Sequence, residues 1–385
     1  MYTKTAFAVA TLALAITSGC TNDTASVTKN SLGVKAEAVS TAPATPVSSE
    51  HKPVALSKKE DFVSIGTQKS YNLSSFFVGQ SIQIAPEYLY EHDIYYTHFI
   101  QTNENKVNST IYRYSPGSNT NEVIETSDQT IASLTGVSHY LFWVASAPAE
   151  DGIAWTIHSF NLKNGKQDML DRGVSRFDAS IPMLDASTTR VSWLIHDATA
   201  KKTTTLMKSF DVAADTIIVH EQYDLSKGKQ DGILPFDFRL GDAGRLIHTS
   251  TFKDGTKTSR LASDDGRFQR PIGGLIDFEY GTDYVAIGEE GYAAFLTLDS
   301  KESDFTYELS DRHSTVDAFR FLSRDRLIFR ENTSQLLYAD LTRRTVAPLT
   351  GMEDTTSKPI YVNGTIAYSV TDGQGVTFHV IDVKP

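Results

Sequence analysis

The chain has 385 residues, a formal charge of −11, 40% hydrophobic and 10% aromatic residues, and a single cysteine. An acidic body repels phosphate backbones, so no nucleic-acid partner is expected. One cysteine allows no intramolecular disulfide and no thiolate metal cluster, which leaves the fold to be held by its core.

In chain order, Met1–Thr5 carry one positive charge, Lys4, and Ala6–Ile16 (AFAVATLALAI) are uniformly apolar. That run suits a secretory signal and falls well short of the roughly 20 residues needed to span a bilayer. Small residues Thr17, Ser18 and Gly19 then precede Cys20. The segment ITSGC resembles the lipobox of bacterial lipoproteins, with Thr17 where that family prefers Leu. The resemblance implies a signal peptide over residues 1–19 and lipidation of the Cys20 sulfur. Acyl chains there would give stable membrane anchoring. Thr21 follows the cysteine, which resembles the pattern of lipoproteins sent to the outer membrane of Gram-negative bacteria. The body is then expected in the periplasm or on the cell surface.

Residues 20–59 are rich in Ser, Thr, Ala, Val and Pro and nearly free of aromatics. Such a segment buries too little apolar surface to offset its ordering entropy and reads as a flexible tether. Residues 60–385 form the expected folded domain.

Within it, runs of β-branched and aromatic residues recur every 38 to 55 residues: Ile94–Phe99, Tyr140–Val144, Val191–Ile195, Leu246–Thr249, Tyr284–Ile287, Leu327–Arg330 and Thr365–Tyr368. Each precedes a polar turn and a second alternating strand, as in Ala154–Phe160, Thr204–Phe210 and Gln335–Asp340. Ahead of several lies a short strand, namely 236–238, 276–278, 319–321 or 360–362, at intervals of 40 to 43 residues. Four short strands per repeat predict an all-β fold, a β-propeller of seven four-stranded blades. The last repeat ends one strand short at Pro385, and Lys69–Ser75 are a surplus strand at the start. The N-terminal strand is therefore expected to complete the last blade.

Segments 160–170 and 339–350 resemble the strand–turn–strand of TolB-type, WD40-like propeller repeats. That resemblance implies the fold and carries no functional residue with it.

The sequence contains no nucleophile elbow, zinc-protease helix, phosphate loop or paired-cysteine metal site, so no catalytic residue is assigned. Carboxylates follow the second strand of each repeat: Glu104, Asp151, Asp197, Asp254, Glu289, Glu331 and Asp372. In a propeller these turns share one face, where a ring of carboxylates would favour a divalent cation or a basic partner. Turn chemistry alone also explains Asp151-Gly152, Asp254-Gly255 and Asp372-Gly373. His98, His196 and His248 occupy second strands of three repeats and are the candidate metal ligands. No cofactor is expected beyond such a cation. The expected function is a membrane-anchored envelope scaffold that binds a protein or glycan. The alternative is a carbohydrate-active enzyme, a lyase or hydrolase, using histidines and carboxylates at the axial mouth.

Overall fold

A computed structural model describes Lys35–Ala36 and residues 52–384, apart from 78–83, 104–105, 177–178, 199–200, 227–230, 242–243, 299–302, 310, 353–354 and 373–374. The expected signal segment, Cys20 and most of the expected tether lie outside the described residues. Among those residues the fold is all-β, with one helical turn at Ser74–Phe76. Among the described residues, no helix is long and apolar enough to cross a membrane.

The strands pair as antiparallel meanders because β-branched and aromatic runs alternate with turn-forming pairs. Asp254-Gly255 and Asn363-Gly364 have positive φ at both residues (50° and 77°, 48° and 83°), the backbone that two-residue hairpins require. The first sheet comprises Tyr88–Tyr90, Asp93–Asn103, Lys106–Ser115 and Thr120–Ser127. The second comprises Thr130–Val137, Tyr140–Ala149, Gly152–Asn161 and Gln167–Ser175.

The third sheet runs Leu184–Ala186, Arg190–Ala198, Lys202–Asp211 and Thr216–Ser226. It continues into Asp231–Gly241, Gly244–Lys253, Thr256–Ser263 and Gln269–Pro271. The link is a short ladder, Leu225 opposite Gly232 and Ser226 opposite Asp231. Two repeats thus share hydrogen bonds, and the described strands form six sheets rather than one per repeat.

The remaining sheets are Leu275–Tyr280, Tyr284–Glu289, Tyr292–Thr297 and Phe305–Glu308, then Val316–Phe321, Arg326–Glu331, Gln335–Asp340 and Thr345–Pro348. In the last sheet, Thr355–Thr356 and Ile360–Val362 both pair with Thr365–Asp372, which pairs with Gly375–Val383. Gly66–Asn72 lies antiparallel to Gly375–Val383, with Asn72 opposite Thr377 and Gly66 opposite Val383. The strand from the start of the domain therefore sits beside the strand at its end.

The final residues of the expected tether also pair. Val54–Ala55 lie parallel to Phe305–Thr306, and Ser57–Lys58 to Thr345–Val346. Leu56 between them is 7% exposed, and burial of one Leu is enough to seat a short edge segment.

The core lies between sheets, in clusters that bridge successive repeats. Trp143 and Leu141 meet Tyr95 and Ile111, Phe142 and Trp155 meet Trp193 and Phe210, and Leu194 and Met207 meet Phe238 and Ile247. Further along, Leu246 and Leu261 meet Phe278 and Ile287, Phe295 and Phe305 meet Phe319 and Phe329, and Ile328 and Leu336 meet Ile366 and Tyr368. Tyr96 and Tyr114 of the first repeat pack with Ala367 and Phe378 of the last. One strand face cannot bury itself, so each sheet depends on its neighbours.

Candidate functional site

The first strand of each central repeat alternates between core and opposite faces. Phe238 and Phe278 enter the core. Asp237 and Arg239, and Asp277 and Glu279, therefore project to the other side. There they meet Asp185 from the preceding repeat and Arg320 from the following one, in a single charged network.

Arg239 Nη2 donates to Asp277 Oδ1 at 2.8 Å, and Nη1 donates to Asp237 Oδ1 at 2.9 Å and the Phe238 carbonyl at 2.8 Å. The Arg239 guanidinium also lies 4.9 Å from the Phe278 ring centroid. Asp277 Oδ2 accepts from the Ala318 N–H at 2.6 Å, and Asp185 Oδ2 from the Leu240 N–H at 2.6 Å. Arg320 Nη1 donates to Glu279 Oε2 at 2.7 Å and to the Phe319 carbonyl at 2.6 Å.

These contacts set the charges. Burial raises the Glu279 carboxyl to about 7 against the pull of Arg320, and burial likewise raises Asp185. Burial also works on Asp277, but Arg239 and the Ala318 N–H outweigh it and hold that carboxyl below its ordinary value. Burial opposes the charge on Arg239, yet Asp237, Asp277, Asp185 and Glu279 together keep it protonated. Two arginines face four carboxyls, and burial raises two of these, Asp185 and Glu279.

Three of these first strands carry bulges, between Pro235 and Asp237, Leu275 and Asp277, and Asp317 and Arg320. A bulge re-aims the extra side chain. Phe236 and Ile276 sit at two of them and are 44% and 41% exposed. Ile276 lines a cleft of about 300 Å³ with Gly274, Glu289, Glu290, His313 and Thr315. His313 Nδ1 lies 3.0 Å from Glu290 Oε1, and that contact raises the imidazole pKa. Tyr292 Oη donates to Glu289.

The carboxylates expected to form a uniform ring of turns do not do so. Glu104 lies outside the described residues. Asp151 and Asp254 occupy exposed turns. Asp197 lies within Arg190–Ala198, and Glu289, Glu331 and Asp372 end their strands. Glu331 is 3% exposed, and burial raises its carboxyl. The strands run further than the turn signals suggested, and alternation then sends Glu331 inward.

The candidate metal ligands are held apart: His98 lies in the first sheet, and His196 and His248 lie four strands apart in the third. His98 packs against Phe77 at 4.7 Å, and His196 Nδ1 lies 2.9 Å from Thr205 Oγ1. His248 packs between Phe236 and Phe278. Burial lowers all three imidazole pKa values. Among the described residues, no three His, Cys, Asp or Glu side chains are grouped to hold a metal ion.

Sequence reasoning placed the short strands at 236–238, 276–278 and 319–321 but missed the network they carry. The signal was the polar residue inside each apolar pair: Phe-Asp-Phe-Arg at 236–239, Ile-Asp-Phe-Glu at 276–279 and Phe-Arg-Phe at 319–321.

No family model matches the chain and no curated protein matches it. Among solved structures, YCF48 bound to D1 peptide is similar at 11% identity and a TM-score of 0.50, covering 85% of this chain and all of that one. The β-propeller domain of the trilobed protease from Pyrococcus furiosus aligns at 10% identity and TM-score 0.49, over 78% and 93% of the two chains. Sqt1 from Chaetomium thermophilum, bound to the N-terminus of ribosomal protein L10, aligns at 12% identity and TM-score 0.48, over 75% and 83%. At such identities likeness speaks to fold alone. With the repeating antiparallel meanders, the likeness at a TM-score of 0.50 makes this an all-β fold of the propeller kind.

Proposed function

We propose that this chain is a scaffold of the cell envelope, a seven-bladed propeller that binds a protein partner on the face bearing Ile276, Glu289 and Glu290. The partner surface would be basic with an apolar anchor. Seven blades are supported by the buried clusters, which link each repeat to the next and the last to the first. Closure by Gly66–Asn72 is supported by its ladder with Gly375–Val383. Peptide capture by two of the similar proteins is in keeping with this reading. Cys20 and its lipobox support an outer-membrane anchor, with the body in the periplasm or on the surface.

The observation that carries the binding assignment is the cleft itself. An exposed Ile276, re-aimed by its bulge, sits beside two carboxylates, one of them paired with an exposed histidine. Apolar anchors inside a charged rim are what protein recognition uses. The neighbouring inner-strand carboxyls Asp277 and Glu279 are each engaged by an arginine, Arg239 and Arg320. The candidate histidines lie on separate strands and, among the described residues, are not grouped as a site, which favours binding over carbohydrate chemistry.

The test is a photo-crosslinking side chain placed at Ile276 in cells, with Met352, also exposed, as the control position. A discrete protein adduct from position 276 alone is expected, and Glu289→Lys with Glu290→Lys should abolish it. Adducts of equal yield from both positions, or none from 276, overturn the assignment.

A further inference from the structure

A second cleft, of about 480 Å³, opens between the sheet containing Arg326–Glu331 and the last sheet. Its polar lining includes Arg326, Arg343 and Lys384 against one carboxylate, Asp340. Such an excess of positive charge is unexpected in a chain of net charge −11.

The repeats supply an internal comparison. In two earlier repeats an arginine at the start of the second strand is engaged by an aspartate at or just past the end of the third. Arg190 Nε lies 3.2 Å from Asp211, and Arg245 Nε lies 2.8 Å from Asp264. Arg326 and Asp340 are partners in the same register, yet Arg326 Nε stands 3.9 Å away, and Arg343 Nε stands at 3.6 Å. Neither distance is a hydrogen bond. Asp340 is instead satisfied by the Arg343 backbone N–H at 2.8 Å. Both guanidinium groups thus share one carboxylate at ion-pair range, and among the described residues neither donates a side-chain hydrogen bond to it.

The walls suit a ring. Tyr338 and Tyr361 line the cleft half-buried, and the Tyr361 hydroxyl is fixed by donating to the Leu322 carbonyl at 3.1 Å. Two planar forks recognise carboxylate or phosphate oxygens, and an aromatic face packs against the C–H face of a sugar. The volume lies within the roughly 300–1,000 Å³ of small-ligand sites. We propose that this cleft binds an anionic sugar, one carrying a carboxylate or a phosphate.

The experiment is titration calorimetry on the purified full chain with glucuronate, glucose 6-phosphate and neutral glucose. Saturable binding of either anionic sugar, with none of glucose, is the expected result, and which anion binds assigns the group. Arg343, which is 78% exposed, is replaced first because its loss does not touch the core. Arg343→Gln should weaken binding about tenfold, the loss of a charge-assisted contact, and Arg343→Lys should recover only part of it. Arg326→Gln should act in the same direction. Equal binding of glucose and glucuronate, no saturation by any of the three up to about 10 mM, or unchanged affinity in the arginine variants overturns the proposal. Acetate or inorganic phosphate binding as tightly as the sugars also overturns it, since the site would then read charge alone. The crosslinking outcome at Ile276 does not bear on this cleft.

Discussion

Replacing Arg239 with Met probes the charged network at its centre. The Arg239 side chain is 20% exposed, and its partner Asp277 is 8% exposed. Removing one member of a buried pair typically costs about 3–5 kcal/mol, mostly because the other charge is left without a partner. Asp237 is 46% exposed, so losing that contact adds little, and the expected cost is about 3 kcal/mol. The pH dependence carries the sharper signature. In the native chain Arg239 holds the Asp277 carboxyl low, so its contribution is present above the unfolded pKa and is lost only in acid. In the variant, burial acts on Asp277 with its strongest opponent gone, and the folded pKa rises above the unfolded one. Stability then falls as pH rises through that raised value and partly returns on acidification. Thermal melts followed by circular dichroism at pH 5 and pH 8 should show a deficit of several degrees at pH 8 and a smaller one at pH 5. A deficit equal at both, or one below about 1 kcal/mol, would show that the arginine is not what makes the buried carboxylates tolerable.

Glu279 titrates in the folded protein near 7, above its ordinary range, so native stability should decline between about pH 5 and pH 8 on its account. Glu279→Gln should flatten that part of the melting-temperature profile, and an unchanged slope would refute the assignment. His220 acts oppositely. Burial first, then Arg245 and Arg190, lower its pKa to about 4, so His220→Gln should remove a rise in stability between about pH 4 and 6.5. Deleting residues 376–385 removes the partner of Gly66–Asn72 and the buried Phe378 and Ile381. Melts should show loss of the cooperative transition, and a retained melting temperature would refute closure by that ladder. Cys20→Ser should release the protein from membranes and abolish incorporation of a labelled fatty acid, which fractionation of cells measures.

The sequence by itself was enough for the strand content, the repeat and the all-β class. Period-two alternation and turn pairs such as Asp254-Gly255 and Asn363-Gly364 act locally, within a hairpin. It also pointed to a surplus strand near Lys69–Ser75, and the structure seats Gly66–Asn72 against Gly375–Val383. What it did not give was which polar residues meet. Asp185, Arg239, Asp277, Glu279 and Arg320 come from four repeats, up to 135 residues apart in the chain. Only the stacking of sheets fixes which face of each first strand its neighbours share. The same holds for the acidic residues, which read alike as a list. Asp254 stays in an exposed turn while Glu331 is drawn to 3% exposure, because strand length decides the face and packing between sheets decides the length. The basic cleft had no sequence signal at all. Arg326 follows the same pattern as Arg190 and Arg245, and only the tertiary arrangement around Asp340 leaves it sharing that carboxylate with Arg343 at 3.9 Å, without a hydrogen bond.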